Sequence, residues 1–254
     1  MRRRPTDRLT YVGHATALIE LGGVRLLTDP ILRDRLLHLR RRSRSPAREV
    51  SEDLAAVLIS HLHLDHLDRP SLRKLDRGVR LIVPRGGGGV LRKAGFARVE
   101  ELAPGESAWV DDVEVVATPA VHDGGRRPFG GPRVEPLGFV LRRGRSVYFA
   151  GDTDLFEGMA ELEPDLDVAL LPVWGWGPKL GPGHLNPERA ARAAAMLSPR
   201  LAVPIHWGTF YPRVLRPRGR LTDPPHDFAA RAAEWAPTVE VRVLEPGDTL
   251  ELSA

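Results

Sequence analysis

Cysteine is absent from the 254 residues of this chain. No disulfide can form, and no metal site can use thiolate, so a transition-metal site would have to be built from histidine and carboxylate. Lysine is scarce as well. Lys74, Lys93 and Lys179 are the only ones, and every other basic side chain is arginine. The net charge of +4 therefore reads as part of a composition rich in Arg, Ala, Gly and Pro rather than as a nucleic-acid footprint. Long apolar runs are missing too: none approaches the ~20 residues of a membrane span. The basic opening "MRRRPTDRLT" lacks the apolar stretch of a secretory signal. These absences lead us to expect a soluble cytoplasmic protein without a transmembrane segment. The length leaves ample room for a buried core, and no low-complexity linker or 20–50-residue repeat divides it, so residues 1–254 are expected to form a single domain.

What is present is a succession of short β-type runs: "RLTYVGHATALIEL", "VRLLTD", "AAVLIS", "VRLIVP", "VEVVATPA", "GFVLRR", "SVYFAGD", "DVALLPV", "LAVPIH" and "VEVRVL". Gly, Pro or Asp bounds several of them, as strand ends require. The opening reads as a hairpin that turns at Gly22 and Gly23. Helical patterns lie between strands, at 69–75, 89–96, 186–198 and 225–236. The third has the best start signal, with Asn186 as N-cap and Pro187 at the first helical position. The expected class is α/β, with two sheets packed face to face and helices outside.

The stretch "AVLISHLHLDHLD" (56–68) carries the chemistry. An apolar strand ends, and His61, His63, Asp65 and His66 follow within six residues. Alternate residues of an extended segment point the same way, so His61 and His63 can converge on one ion. A following turn can swing Asp65 and His66 toward a second. Further donors stand at later strand ends, where α/β folds gather ligands: His122 after "VVATPAV", Asp152 in "AGDTD" and His206 in "VPIHWG". The resulting expectation is one site of His61, His63 and His122 and another of Asp65, His66 and His206, bridged by Asp152. Such donors suit Zn²⁺ and would accept Mn²⁺ or Fe²⁺.

These segments resemble the metallo-β-lactamase fold superfamily, which carries "HLHLDH", His122, Asp152 and His206 in the same order. "GHAT" (13–16), "LLTDP" (26–30), "GDT" (151–153), "GHLNPERA" (183–190) and "PIHWGTF" (204–210) are similar to one branch in particular. That branch includes the ascorbate-6-phosphate lactonases and the N-acyl-phosphatidylethanolamine phospholipases D. The resemblance implies an αββα sandwich of two mixed β-sheets with helices on the outer faces and a dinuclear site at the mouth between them. It also implies that Asp29 supports a metal-binding histidine by accepting its other N–H, and that His184 stands near the substrate. There His184 could bind a phosphate or protonate a leaving group, or be a loop histidine without a role. His14 is assigned to structure or to the pocket edge, and Asp68 to a helix cap. Nothing resembles the extra helical domain of glyoxalase II or the long insertion of the nuclease branch, and the phospholipase's N-terminal extension has no counterpart here.

The function implied is that of a metal-dependent hydrolase. A hydroxide shared by two divalent ions would cleave a phosphodiester or a lactone-like ester of a small, anionic substrate, with Asp65, Asp152 and His184 as the catalytic residues. No "GxSxG" supplies a protein nucleophile. One alternative is a nuclease-like phosphodiesterase acting on RNA or DNA, which the basic charge favours and the missing insertion and lack of aromatic-basic interleaving disfavour. Another is a metal-binding sensor without catalysis. A homo-oligomer is compatible with either. The stretch 33–48, with seven arginines in sixteen residues, is either a set of phosphate contacts over the pocket or a mobile, solvated loop. "RGGGG" (85–89) reads as a turn before a helix. Trp174 and Trp176, in the Gly/Pro-rich loop before His184, are expected to wall the pocket. His38 and His226 are expected to face solvent.

Overall fold

The computed structural model describes residues 6–126, 131–174, 180–212 and 221–252. Its first half runs β1 (Arg8–Gly13), β2 (Thr16–Leu21), β3 (Val24–Thr28), β4 (Arg35–Leu36), β5 (Leu39–Arg41), β6 (Ala56–Leu58), α1 (Arg69–Leu72), β7 (Arg80–Pro84), α2 (Gly88–Arg92) and β8 (Val99–Leu102). The second half runs β9 (Ser107–Val110), β10 (Val113–Pro119), β11 (Leu137–Arg142), β12 (Ser146–Phe149), β13 (Val168–Pro172), α3 (Pro187–Leu197), β14 (Leu201–Ile205), β15 (Phe210–Pro212), α4 (Asp223–Trp235), β16 (Glu240–Val241) and β17 (Thr249–Glu251).

Two mixed sheets result, ordered β17-β1-β2-β3-β6-β7-β8 and β16-β14-β13-β12-β11-β10-β9. In each, antiparallel neighbours give way to parallel ones, at β3/β6 and at β12/β13. The two-residue period of a strand explains how the layers stack. Along β6 and the residue after it, Ala56 and Leu58 join the core between the sheets, whereas Val57 and Ile59 join a second core beneath α1 and α2. The inner layer is closed from the other side by Val115, Phe139, Leu141 and Phe149, while α3 packs on β13 and α4 on β14. The architecture is the αββα sandwich.

Most of the β-type runs and all four helical patterns appear where the residue pattern places them. Gly22 and Gly23 turn the β2–β3 hairpin with φ of 56° and 94°, a conformation glycine adopts without a Cβ penalty. Asn186 caps α3 by accepting the Arg189 N–H at 2.8 Å, and Asp68 caps α1 through Ser71 N–H at 3.0 Å. Two readings change. The run "RLTYVGHATALIEL" is two strands, because the chain reverses at His14 with φ of 57°. Of "VEVRVL", only Glu240–Val241 pairs as strand.

The arginine-rich stretch is only in part a solvated loop. Residues 35–41 form a hairpin that pairs with β15, making a third sheet ordered β15-β5-β4. Ile31, Leu36, Leu39 and Phe210 give it a small core. Arg41 is buried there, donating to Ile31 O at 2.7 Å with its guanidinium 4.7 Å from the Phe210 ring centre. Arg33 forms a two-pronged pair with Asp68, at 2.8 and 2.6 Å. A run that reads as charge along the chain is divided by the hairpin into buried and exposed members. No helix among the described residues is long and apolar enough to cross a membrane.

Asp68 thus serves both the cap of α1 and the anchoring of the hairpin. Asn186→Ala should cost about 1 kcal/mol, the usual worth of an N-cap. Asp68→Ala should cost more, because Arg33 loses its partner as well. Urea midpoints of the two variants against wild type measure the difference.

Candidate metal centre

The loop that leaves β6 alternates between anchoring and presenting side chains. Leu62 and Leu67 are fully buried in the core beneath α1 and α2, and their carbonyls both accept from Arg126 Nη1, at 2.9 and 2.6 Å. Between these anchors the N–H groups of His66 and Leu67 close a turn on His63 O at 3.2 and 2.9 Å. The histidines and Asp65 are left facing the opposite way, into the mouth between the two main sheets.

Asp29 organises that loop. Its Oδ1 accepts the Ser60 N–H at 2.8 Å, and its Oδ2 accepts both the Ser60 hydroxyl at 2.5 Å and the His66 Nδ1–H at 2.7 Å. Ser60 has a single hydroxyl proton, and Asp29 takes it. His61 Nδ1, 3.0 Å from that hydroxyl oxygen, must therefore be the donor. His61 then presents Nε2 as a lone pair, and His66 turns its Nε2 the same way. His122 follows the same logic, since its Nδ1–H donates to Gly183 O at 2.7 Å. The sequence reading gave Asp29 one histidine; the structure links it to two.

The expected residues converge. His63 Nδ1 lies 2.9 Å from His61 Nε2 and 3.1 Å from His122 Nε2, forming one potential metal-holding group. Asp65, His66 and His206 form a second, and His14 joins it. Asp152 lies between the two groups. Its Oδ2 is 3.1 Å from His66 Nε2 and 3.8 Å from His122 Nε2, and its Oδ1 is 3.3 Å from His206 Nε2. Close approach of the segment after β12 to the β6 loop makes this possible. Gly151 has φ of 61°, and a Cβ there would meet Ser60 Cβ at 2.7 Å and Leu137 O at 3.0 Å.

The electrostatics are those of a cation site. Burial favours the neutral carboxyl, yet His206 and His66 outweigh it and hold Asp152 well below the usual carboxylate range. Asp65 behaves likewise, with His66 and His14 overcoming burial. Burial drives His61 well below its ordinary value and His122 to about 4, so both rings stay neutral. His14 is driven by burial to about 3. His66 goes the other way: burial opposes its charge, but Asp152, Asp65 and Asp29 raise its pKa well above normal. Two anions meet inward-facing imidazole nitrogens, and the buried Asp152 Oδ1 carries no hydrogen bond among the described residues. A buried charge needs compensation, and divalent ions between these donors would supply it. The donor set fits the implied metals.

His184 stands at the rim, partly exposed, with Nε2 3.9 Å from Asp152 Oδ2 and its ring 4.6 Å from that of His122. Trp174 is buried and stacks with Tyr211 at 6.4 Å between ring centres, while Trp176 lies outside the described residues. His38 and His226 are exposed, and the stretch 85–89 is a plain turn into α2 that leaves Arg85 exposed. Of the two roles expected for His14, structure or pocket edge, the burial favours the first: it is a buried ring inside the second group. "GHAT" marked it as notable; only the β1–β2 reversal shows where it points. Arg126 had no signal in the sequence, because its partners are backbone carbonyls.

Comparisons with known proteins agree with this fold. The family described as beta-lactamase superfamily domain matches residues 24–207. A UPF0173 metal-dependent hydrolase of Methanopyrus kandleri is 34% identical over 261 residues, covering 96% of this chain and 99% of that protein. An uncharacterized protein of Mycobacterium tuberculosis is 34% identical over 218 residues, and the match covers 80% of this chain but 59% of that protein's length. Among solved structures, Igni18, a metallo hydrolase from the archaeon Ignicoccus hospitalis, is similar with a TM-score of 0.74 and 27% identity, covering 98% of this chain and 100% of that one.

Since Asp29 orients His61 through Ser60 and His66 directly, Asp29→Ala should weaken divalent-cation binding by roughly 10–100-fold. Chelator competition monitored on purified protein reads this directly.

Proposed function

This chain belongs to the beta-lactamase superfamily domain family, and from that premise we propose that it is a metal-dependent hydrolase holding two divalent ions. His61, His63 and His122 would hold one, and Asp65, His66 and His206 the other, with Asp152 shared. The observation that carries this reading is the placement of one buried carboxylate, Asp152, within 3.8 Å of imidazole nitrogens from both groups. Imidazole and carboxylate donors without thiolate favour Zn²⁺ and accept Mn²⁺ or Fe²⁺. When bound, such ions supply Lewis acidity and an activated water at neutral pH.

The chain's own residues do the rest. Asp152 and Asp65 remain anionic and concentrate positive charge at the mouth. Asp29 and the Gly183 carbonyl keep the imidazole lone pairs aimed inward. His184, at the rim and within reach of solvent, would protonate a departing alkoxide or hold an anionic substituent of the substrate. The reaction class that suits this arrangement is hydrolysis of a phosphodiester or a lactone-like ester. The substrate this reading takes is small and anionic. The core shared between the two sheets supports reading residues 1–254 as a single hydrolase domain.

Elemental analysis of tag-free protein tests the proposal. About two ions per chain are expected in wild type, with a sharp fall in Asp152→Ala and a loss of hydrolysis by about 10²–10³-fold or more. Protein that takes up no metal from Zn²⁺, Mn²⁺ or Fe²⁺ in turn would overturn it. His184→Ala should keep the metal content and lose roughly 10²-fold in kcat, the worth of a general acid. Assays on a panel of phosphodiesters and lactones separate the two substrate classes.

A further inference from the structure

His14 sits where the chain should avoid placing a bulky residue. Its φ of 57° lies in the left-handed region, and its side chain is 1% exposed. Such strain persists only where surrounding contacts over-determine it. Here the corner is locked by its backbone. The His14 N–H donates to Thr209 Oγ1 at 2.7 Å, and His14 O accepts the His206 N–H at 2.7 Å. Gly13 beside it has φ of 125°, and a Cβ there would meet Thr209 Oγ1 at 2.7 Å. The β1–β2 reversal is thus latched onto the segment after β14, which carries His206.

The latch aims the imidazole at Asp65. His14 Nε2 lies 3.2 Å from Asp65 Oδ2, while its ring centre is 3.8 Å from that of His206 and 6.1 Å from that of Phe210. One residue therefore touches donors from both halves of the sandwich, Asp65 on the β6 loop and His206 after β14. Asp65 is the least buried member of the second group, and it comes from the middle of a loop whose anchors are Leu62 and Leu67. The His14 contact bears on the same oxygen that lies 3.7 Å from His66 Nε2.

Resting on the dinuclear reading above, we propose that His14 is a positioning residue for the second ion. Its Nε2–H fixes one oxygen of Asp65 and its ring packs the His206 imidazole, so that donors from the two sheets meet in register. The first group, His61, His63 and His122, lies outside this contact and should be indifferent to it.

Three substitutions test the assignment through cation affinity, read by titrating metal-free protein with Zn²⁺ against a chelator. His14→Asn tolerates the left-handed backbone but is too short to reach Asp65. His14→Phe keeps the ring contacts and removes the donor. His14→Gln restores an N–H of sufficient reach. The Asn and Phe variants, both without the Asp65 contact, are expected to lose about 10–100-fold in affinity for one ion only, the weight of a contact that orients a ligand. The other ion should bind as in wild type, and Gln should recover most of the loss. Wild-type affinity for both ions in Asn or Phe would overturn the proposal. So would equal weakening of both ions, a Gln variant as weak as Asn, or failure of both Asn and Phe to fold, each of which marks a purely structural residue. Wild-type protein that binds no second ion would instead overturn the dinuclear reading itself.

Discussion

A carboxylate buried among imidazoles sets the terms for the rest of this molecule. Asp152 is 4% exposed, it is held ionised by His206 and His66, and it has no hydrogen bond on Oδ1 among the described residues. In a low-dielectric interior an ion in this state is costly unless positive charge is brought to it. Protonating His66 offers one unit of compensation, which is why the carboxylates drive its pKa upward. Divalent ions between the same groups would offer more, taking up the imidazole nitrogens that Asp29, Ser60 and Gly183 have already turned inward.

Meeting that demand shapes the backbone around it. His14, Asp29, Gly151 and His206 all have positive φ, and all four lie just past strand ends that open on the mouth between the sheets. Three of them are not glycine. Strain of this kind is tolerated where a rigid scaffold opposes it, and the two sheets with their shared core provide one. The division of labour is ordinary for α/β proteins: packing belongs to the strands, chemistry to the loops at their ends. What distinguishes this chain is how tightly the two halves are tied at the site, by Gly151 against Ser60 and by His14 against Thr209 and His206.

Local pattern made the layers legible. Short continuous apolar runs in "AAVLIS" and "VRLIVP" announce strands buried on both faces, and Asn186-Pro187 announces a helix start. The same local logic failed where a residue's environment comes from far along the chain. Arg41 reads as one charge among many in 33–48, yet β15, near the other end of the chain, supplies the Phe210 ring that covers it. "VEVRVL" has an ideal strand pattern, but β14 offers a partner to only two of its residues.

By itself, the sequence determined the donor types and their chain order. A protein without cysteine that concentrates histidine and aspartate in "HLHLDH", and places His122, Asp152 and His206 after apolar runs, can assemble only an imidazole–carboxylate site. Tertiary structure decided which of those groups face one another. It placed Asp152 between two clusters, extended the reach of Asp29 through the single proton of Ser60, and set His14 beside Asp65. Ligand type is a property of side chains and survives in a string of letters. Convergence depends on strand register and on backbone angles at a few corners, and those exist only once both sheets have packed.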